Sequence, residues 1–269
     1  VYNDIQAPHA LRQVLSEDIF KVPQKDVQVI AGNVGGAFGM KGPVYPEIRL
    51  CAWASKRLGR PVKWSCERSE AFQSDEHCRD NVSEAELALT NDGKFLGLRV
   101  NTIVAIGAYL SQDRNLLSSV MNLGCLAGVY TTPAIHVTVR NVFTNTNSTS
   151  PYRGAGRPEA AYIIESMADL AAKELGLDRT EIRRRNIIPV DAMPFKTGLV
   201  YTYDCGEFEK NMDRVMEMID YAGFEARREE AKSRGKLRGI AISNSIERAG
   251  APFPETVEIR FDPTGTVTI

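Results

Sequence analysis

The chain has 269 residues, 43% hydrophobic and 25% charged, with a formal net charge of −1. That balance argues against nucleic-acid and anionic-membrane partners, and no apolar run approaches the roughly 20 residues that span a bilayer. Five scattered cysteines with no CxxC pair, and three histidines far apart, argue against a disulfide framework, a zinc site or a His-rich metal centre. A reducing cytoplasm fits best.

Pro8 stands where a first helical residue belongs, and Leu11, Val14, Leu15 and Ile19 share one face of the helix that follows. Residues 27–31 (VQVIA) read as a short strand. A helix is predicted over 46–59, stopped by Gly59, and a strand over 61–66. Asn91-Asp92-Gly93 marks a hairpin between two strand patterns. A moderately apolar stretch at 114–127 precedes a strand at 135–143, and 144–157 is polar and loop-like. Pro158 opens the clearest helix, with Ala161, Ile164, Ala168, Ala171 and Leu175 at helical spacing and Gly176 at its end. Asp178 and Glu181 have capping-box spacing for a second helix. One or two helices follow over 207–235, then a strand at 237–247. Strands and helices mix without βαβ alternation, so the expected class is α+β with mixed sheets and packed helices. Pro189, Pro194 and Gly198 mark a candidate boundary around 186–206. The chain opens on Val1 inside patterned sequence and closes within a hairpin pattern, as a piece of something longer would.

Two glycine loops stand out. Residues 32–42, GNVGGAFGMKG, hold five glycines around Phe38. A P-loop requires Gly before its lysine, whereas Met40 precedes Lys41, and no G-x-G-x-x-G register fits. The plainer alternative is a tight connection with no ligand. The second loop, YRGAGRP, sets Gly154, Ala155 and Gly156 ahead of a helix start, between Arg153 and Arg157. Unpaired helix-start amides and arginine forks suit an anion, although a capped helix with two solvated arginines would look the same.

Taken together, IQAPHALR, VGGAFGMK, LGRPVKW with ERSE, YRGAGRPEAAYIIE and LGLDRTEIRRRNII resemble, in order and spacing, the molybdenum hydroxylases. These are the xanthine dehydrogenase, aldehyde oxidase and aerobic carbon monoxide dehydrogenase family, in its large molybdopterin-binding subunit. The resemblance implies a first molybdopterin-binding subdomain over 1–190, with the remainder and the start of a second in 191–269. It implies a molybdenum-pyranopterin, as the cytosine dinucleotide, in which the pterin rather than the protein supplies the sulfur ligands. Gly35, Gly36, Ala37, Phe38 and Gly39 would then lie against the metal and pterin, where side chains would collide. The Gln6 amide would reach an oxo ligand, Phe38 and Arg153 would border the metal and pterin, and Gly154 and Ala155 would line the approach.

The same resemblance implies iron–sulfur and FAD centres on partner subunits or domains. The expected reaction is hydroxylation of an aldehyde or N-heteroaromatic carbon with oxygen from water. Its glutamate base would lie beyond these residues, leaving this piece inactive alone. The departures concern substrate. Gly154 stands where the carbon monoxide enzymes carry a copper-binding cysteine, and Gly42 and Ala155 replace purine-recognition residues. A substrate arginine expected in 114–127 has only Met121 and Asn122 nearest. The contrasting reading is a non-catalytic interaction module that keeps the fold. Three smaller features have plain readings: EIRRRN (181–186) as a solvated basic face, Met212, Met216 and Met218 as core, and His77-Cys78 as structural.

Overall fold

A computed structural model describes residues 1–112, 115–117, 119, 124–247 and 256–269. Met121, Asn122 and part of the apolar stretch at 114–127 lie outside the described residues. The architecture is α+β, with helices packed around small mixed sheets.

The first unit is helical. Helix α1 (Pro8–Val14) begins on its proline and widens into a π-type turn (Leu15–Phe20) that ends on left-handed Lys21, φ 55°. Leu11 and Leu15 are fully buried with Ile5, Val27 and Ala52, the last from helix α2 (Pro46–Leu58). Gly59 ends α2 at φ 64°, a conformation that costs a residue with a side chain about 1 kcal/mol. Between the two helices run residues 32–42, so the first glycine loop is anchored at both ends. Helix α3 (Arg68–Ser74) closes this part with a full capping box between Glu67 and Glu70.

The second unit is a three-stranded sheet of order β1-β2-β3, from Asn81–Leu89, Phe95–Ala105 and Ile135–Val142. The Asn91-Asp92-Gly93 turn makes β1 and β2 antiparallel, while β3 runs parallel to β2. Central β2 alternates cleanly, with Leu98, Val100, Thr102 and Val104 buried. Val100 faces Ala85 on one neighbour and Val137 on the other. Helix α4 (Arg157–Leu175) contributes Ala160, Ile163, Ile164, Ala168, Ala171 and Ala172 to the same core. Helix α5 (Arg179–Asn186) locks onto the hairpin through Asn186. Its Oδ1 accepts from the Phe95 amide at 2.8 Å and its Nδ2 donates to the Gly93 carbonyl at 2.8 Å. A two-stranded ribbon (β4, Phe195–Lys196; β5, Thr202–Tyr203), helices α6 (Phe208–Met218) and α7 (Phe224–Ser233), and a terminal ribbon (β6, Arg260–Phe261; β7, Val267–Thr268) complete the described elements.

Several expectations fail for identifiable reasons. Residues 27–31 form only an isolated bridge, Ile30 with Tyr2, because their neighbour is the short segment 1–3. Residues 61–66 and 237–247 are not strands. The latter does keep a strand's alternation, with Ile242 and Ile246 on the main core, but no strand lies beside it among the described residues. The box at Asp178 is half formed: Asp178 accepts from the Thr180 amide at 2.7 Å, while Glu181 turns to Arg185.

The solvated reading of EIRRRN is also wrong. Arg183 is fully buried between Glu165, at 2.8 Å, and Asp169, at 2.9 Å, and Arg184 pairs with Glu209 and Asp213. Met212 and Met216 pack in the core as expected, whereas Met218 is exposed. No helix among the described residues is long and apolar enough to cross a membrane.

Candidate cofactor site

The two glycine loops and the N-terminal segment meet. Gly39 N–H donates to Gln6 Oε1 at 3.1 Å, and Gln6 N–H donates to the Lys41 carbonyl at 3.0 Å. Lys41 also pairs with Asp4 at 2.6 Å. From the other loop, Arg153 N–H donates to the Phe38 carbonyl at 2.8 Å, and the Phe38 and Tyr152 rings lie 6.2 Å apart. Phe38, Gly39, Pro151, Tyr152, Arg153, Gly154 and Ala155 together line a shallow depression of roughly 380 Å³. Gln6, Phe38–Gly39 and residues 153–155 are therefore one locality, although about 150 residues of sequence separate its ends.

Backbone conformation at this locality is unusual. Phe38 at φ 56° and Ala155 at φ 43° are left-handed residues with side chains, each at a cost of about 1–2 kcal/mol. Phe38 is nevertheless 52% exposed, so neither burial of its ring nor an easy backbone explains it.

The glycines divide by what surrounds them. A Cβ on Gly39 would meet the Pro151 carbonyl oxygen at 2.1 Å, and one on Gly36 would meet the Phe38 ring at 2.5 Å. These two glycines let protein approach protein. Gly35 differs: nothing lies within 4 Å of its Cβ position. Among the described residues, the amides of Gly35, Gly36, Ala37 and Phe38 have no hydrogen-bond partner. Arg153 is exposed and its guanidinium has no partner among them either. A run of free amides beside a free guanidinium is a donor set for an anionic, acceptor-rich group.

Gln6 is oriented by the same contacts. The Gly39 amide can only donate, so the Gln6 oxygen must face it and the Nε2 donors turn away. Nε2 has no partner among the described residues. The side chain thus presents hydrogen-bond donors whose direction the loop itself fixes.

Sequence reading missed the segment that stitches the loops together. Tyr45 donates its hydroxyl to the Met40 carbonyl at 2.9 Å and accepts from the Glu76 amide at 3.4 Å. Burial pushes its phenol well above the ordinary tyrosine range. His77 bridges Thr149 through main chain, and Gln112 joins Glu76 to Ser150. Arg79, left-handed at φ 66°, donates to the Arg153 carbonyl and lies over the Tyr152 ring. Burial pushes the neighbouring Cys78 thiol up, against a smaller downward pull from Arg79. Only the long span of polar loop at 144–157 hinted at such tethering. Among the described residues, no group of three or more His, Cys, Asp or Glu side chains is placed to hold a metal ion.

This frame is that of a molybdopterin cofactor-binding domain. It superposes on quinoline 2-oxidoreductase from Pseudomonas putida 86 with a TM-score of 0.80 and 33% identity, over 87% of this chain and 30% of that one. A Cu,Mo-carbon monoxide dehydrogenase in its carbon monoxide reduced state gives 0.86 and 32%, over 99% of this chain and 36% of that one. The chain belongs to the molybdopterin cofactor-binding domain family, which matches residues 1–187. In sequence it is 32% identical over 266 residues to the gamma subunit of the 6-hydroxypseudooxynicotine dehydrogenase complex of Paenarthrobacter nicotinovorans, covering 97% of this chain and 33% of the relative. It thus spans about a third of the length of the curated relatives it matches.

Proposed function

We propose that residues 1–190 form the first half of a molybdenum-pyranopterin cradle in an enzyme that hydroxylates an aldehyde or N-heteroaromatic carbon. The observation that supports this reading is the meeting of the two loops: Phe38 and Arg153, with a free amide and a free guanidinium, line one depression, Gln6 is held against Gly39 at its edge, and the free amides of residues 35–37 precede Phe38 in the same loop. The residues fit such a group. The open side of Gly35 would admit a flat ring system, the amides would meet its acceptor atoms, and Arg153 would neutralise negative charge. When bound, the molybdenum-pterin supplies the two-electron redox chemistry and the activated oxygen. Gln6 Nε2 would hold a hydrogen bond to an oxygen of the group without exchanging a proton, since an amide does not titrate near neutral pH. Phe38, held left-handed at the rim, would exclude water on one side.

Copper-assisted carbon monoxide chemistry fits poorly. Gly154 carries no thiol, and a Cβ there would meet Pro158 Cγ at 2.4 Å, with φ at 96°. A cysteine would need a different loop. We further propose that additional polypeptide supplies the catalytic base and the rest of the cradle, that iron–sulfur and FAD partners carry the electrons away, and that the pterin bears cytosine dinucleotide. The test is molybdenum and released-pterin content of the gene product carrying this chain, with and without Gly35→Leu. The variant should keep its thermal midpoint and lose most of its pterin, since its side chain occupies space that protein leaves open. Full pterin content in Gly35→Leu, or none in the parent, overturns the reading.

A further inference from the structure

We infer that Arg79, which lies outside both glycine loops, is a positioning residue that aims the Gly154 amide at the cofactor; this rests on the function proposed above. The guanidinium works in four directions at once. One Nη donates to the Arg153 carbonyl, the other reaches Cys78 Sγ at 3.0 Å, and the plane lies 5.4 Å from the Tyr152 ring centroid. Nε faces Glu159 Oε2 at 3.9 Å, too far for a hydrogen bond but close enough to fix the charge. Glu159 sits in the first turn of α4, and its side chain is only 9% exposed. Its Oε2 has no hydrogen-bond partner among the described residues. Arg79 therefore links β1, the Tyr152–Arg153 turn and the start of α4.

The consequence follows from peptide planarity. The carbonyl of Arg153 and the amide of Gly154 belong to one rigid plane and point opposite ways. Pinning the carbonyl to Arg79 turns the Gly154 N–H away from Arg79. That N–H has no partner among the described residues. The other side of Gly154 is closed, since its Cβ position lies 2.4 Å from Pro158 and 3.6 Å from Arg79. Lysine could make one of these contacts but not all, because it has no fork and no flat face to stack.

The experiment has two arms. Hydrogen exchange of residues 152–156 and pterin loading are both measured in the gene product carrying this chain, in its parent form and as Arg79→Met and Arg79→Lys. Arg79→Met should speed exchange at Arg153 and Ala155, whose amides donate to the Phe38 and Tyr152 carbonyls, about tenfold, the scale of one lost charged hydrogen bond, and lower loading severalfold. Arg79→Lys should fold and recover only part of both, and it replaces Arg79→Met if that variant does not fold. Unchanged exchange, unchanged loading, or complete rescue by lysine overturns the inference. Pterin in the unvaried protein decides the underlying reading, while exchange decides whether Arg79 holds the loop, so the two failures are told apart.

Discussion

Gly39→Ala tests how the two loops are fitted together. The added methyl would lie 2.1 Å from the Pro151 oxygen and 2.9 Å from its carbonyl carbon, both backbone atoms that cannot rotate aside. The Pro151 carbonyl must retreat by roughly an ångström or more to reach ordinary contact. That retreat pulls Arg153 N–H off the Phe38 carbonyl and disturbs the Gly39–Gln6 bond, at about 0.5–1.5 kcal/mol each. The φ of 99° adds about 1–3 kcal/mol for any residue with a side chain. The expected loss is roughly 2–6 kcal/mol, read from urea unfolding at constant slope. Gly35→Ala serves as the control, with open space and no left-handed φ, and should stay within about 0.5 kcal/mol. If Gly39→Ala matched that control, the loops could not be packed as described.

Two further outcomes follow from the buried and capping groups. Arg183→Met would leave Glu165 buried without its cation and should cost about 3–5 kcal/mol, while adding Glu165→Gln should restore much of it. Unfolding of both variants checks this, and an equal loss in the double variant would refute it. At Asp178, burial pushes the carboxyl up, but the Thr180 hydroxyl and amide outweigh this and leave it below its usual 3.8. A depressed carboxylate stabilises fully above its unfolded value, so this contribution is lost as pH falls through the lower folded value. Asp178→Ala should cost about 1 kcal/mol at pH 7, a difference from the parent that shrinks below pH ~3.8.

What the sequence made legible was local. The 91–93 turn, the helix begun by Pro158 and ended by Gly176, and the α2 stop at Gly59 all follow from residues whose conformational demands do not depend on neighbours. The failures at 27–31, 61–66 and 237–247 share one cause: a strand needs a partner, and pattern alone does not provide one. Arg183 was misread because a basic run looks solvated until two carboxylates from another helix enclose it. At the site, motifs drew attention to Gln6, Phe38 and Arg153, and the structure brings them together. Tyr45, Glu76 and Arg79 carry no motif, since their importance comes from main-chain carbonyls and amides that have no sequence signature.

The wide spacing of residues 6, 38, 79 and 153 along the chain bears on the order of assembly. Joining them closes several long loops, whose entropic cost falls due before any of the joining bonds forms. The helical unit can set Gln6 against Gly39, beside Phe38, from its own residues, but the Tyr152–Ala155 side of the depression comes from the sheet unit. A partly melted chain that keeps only the helical cluster therefore retains one wall of the depression and loses the other.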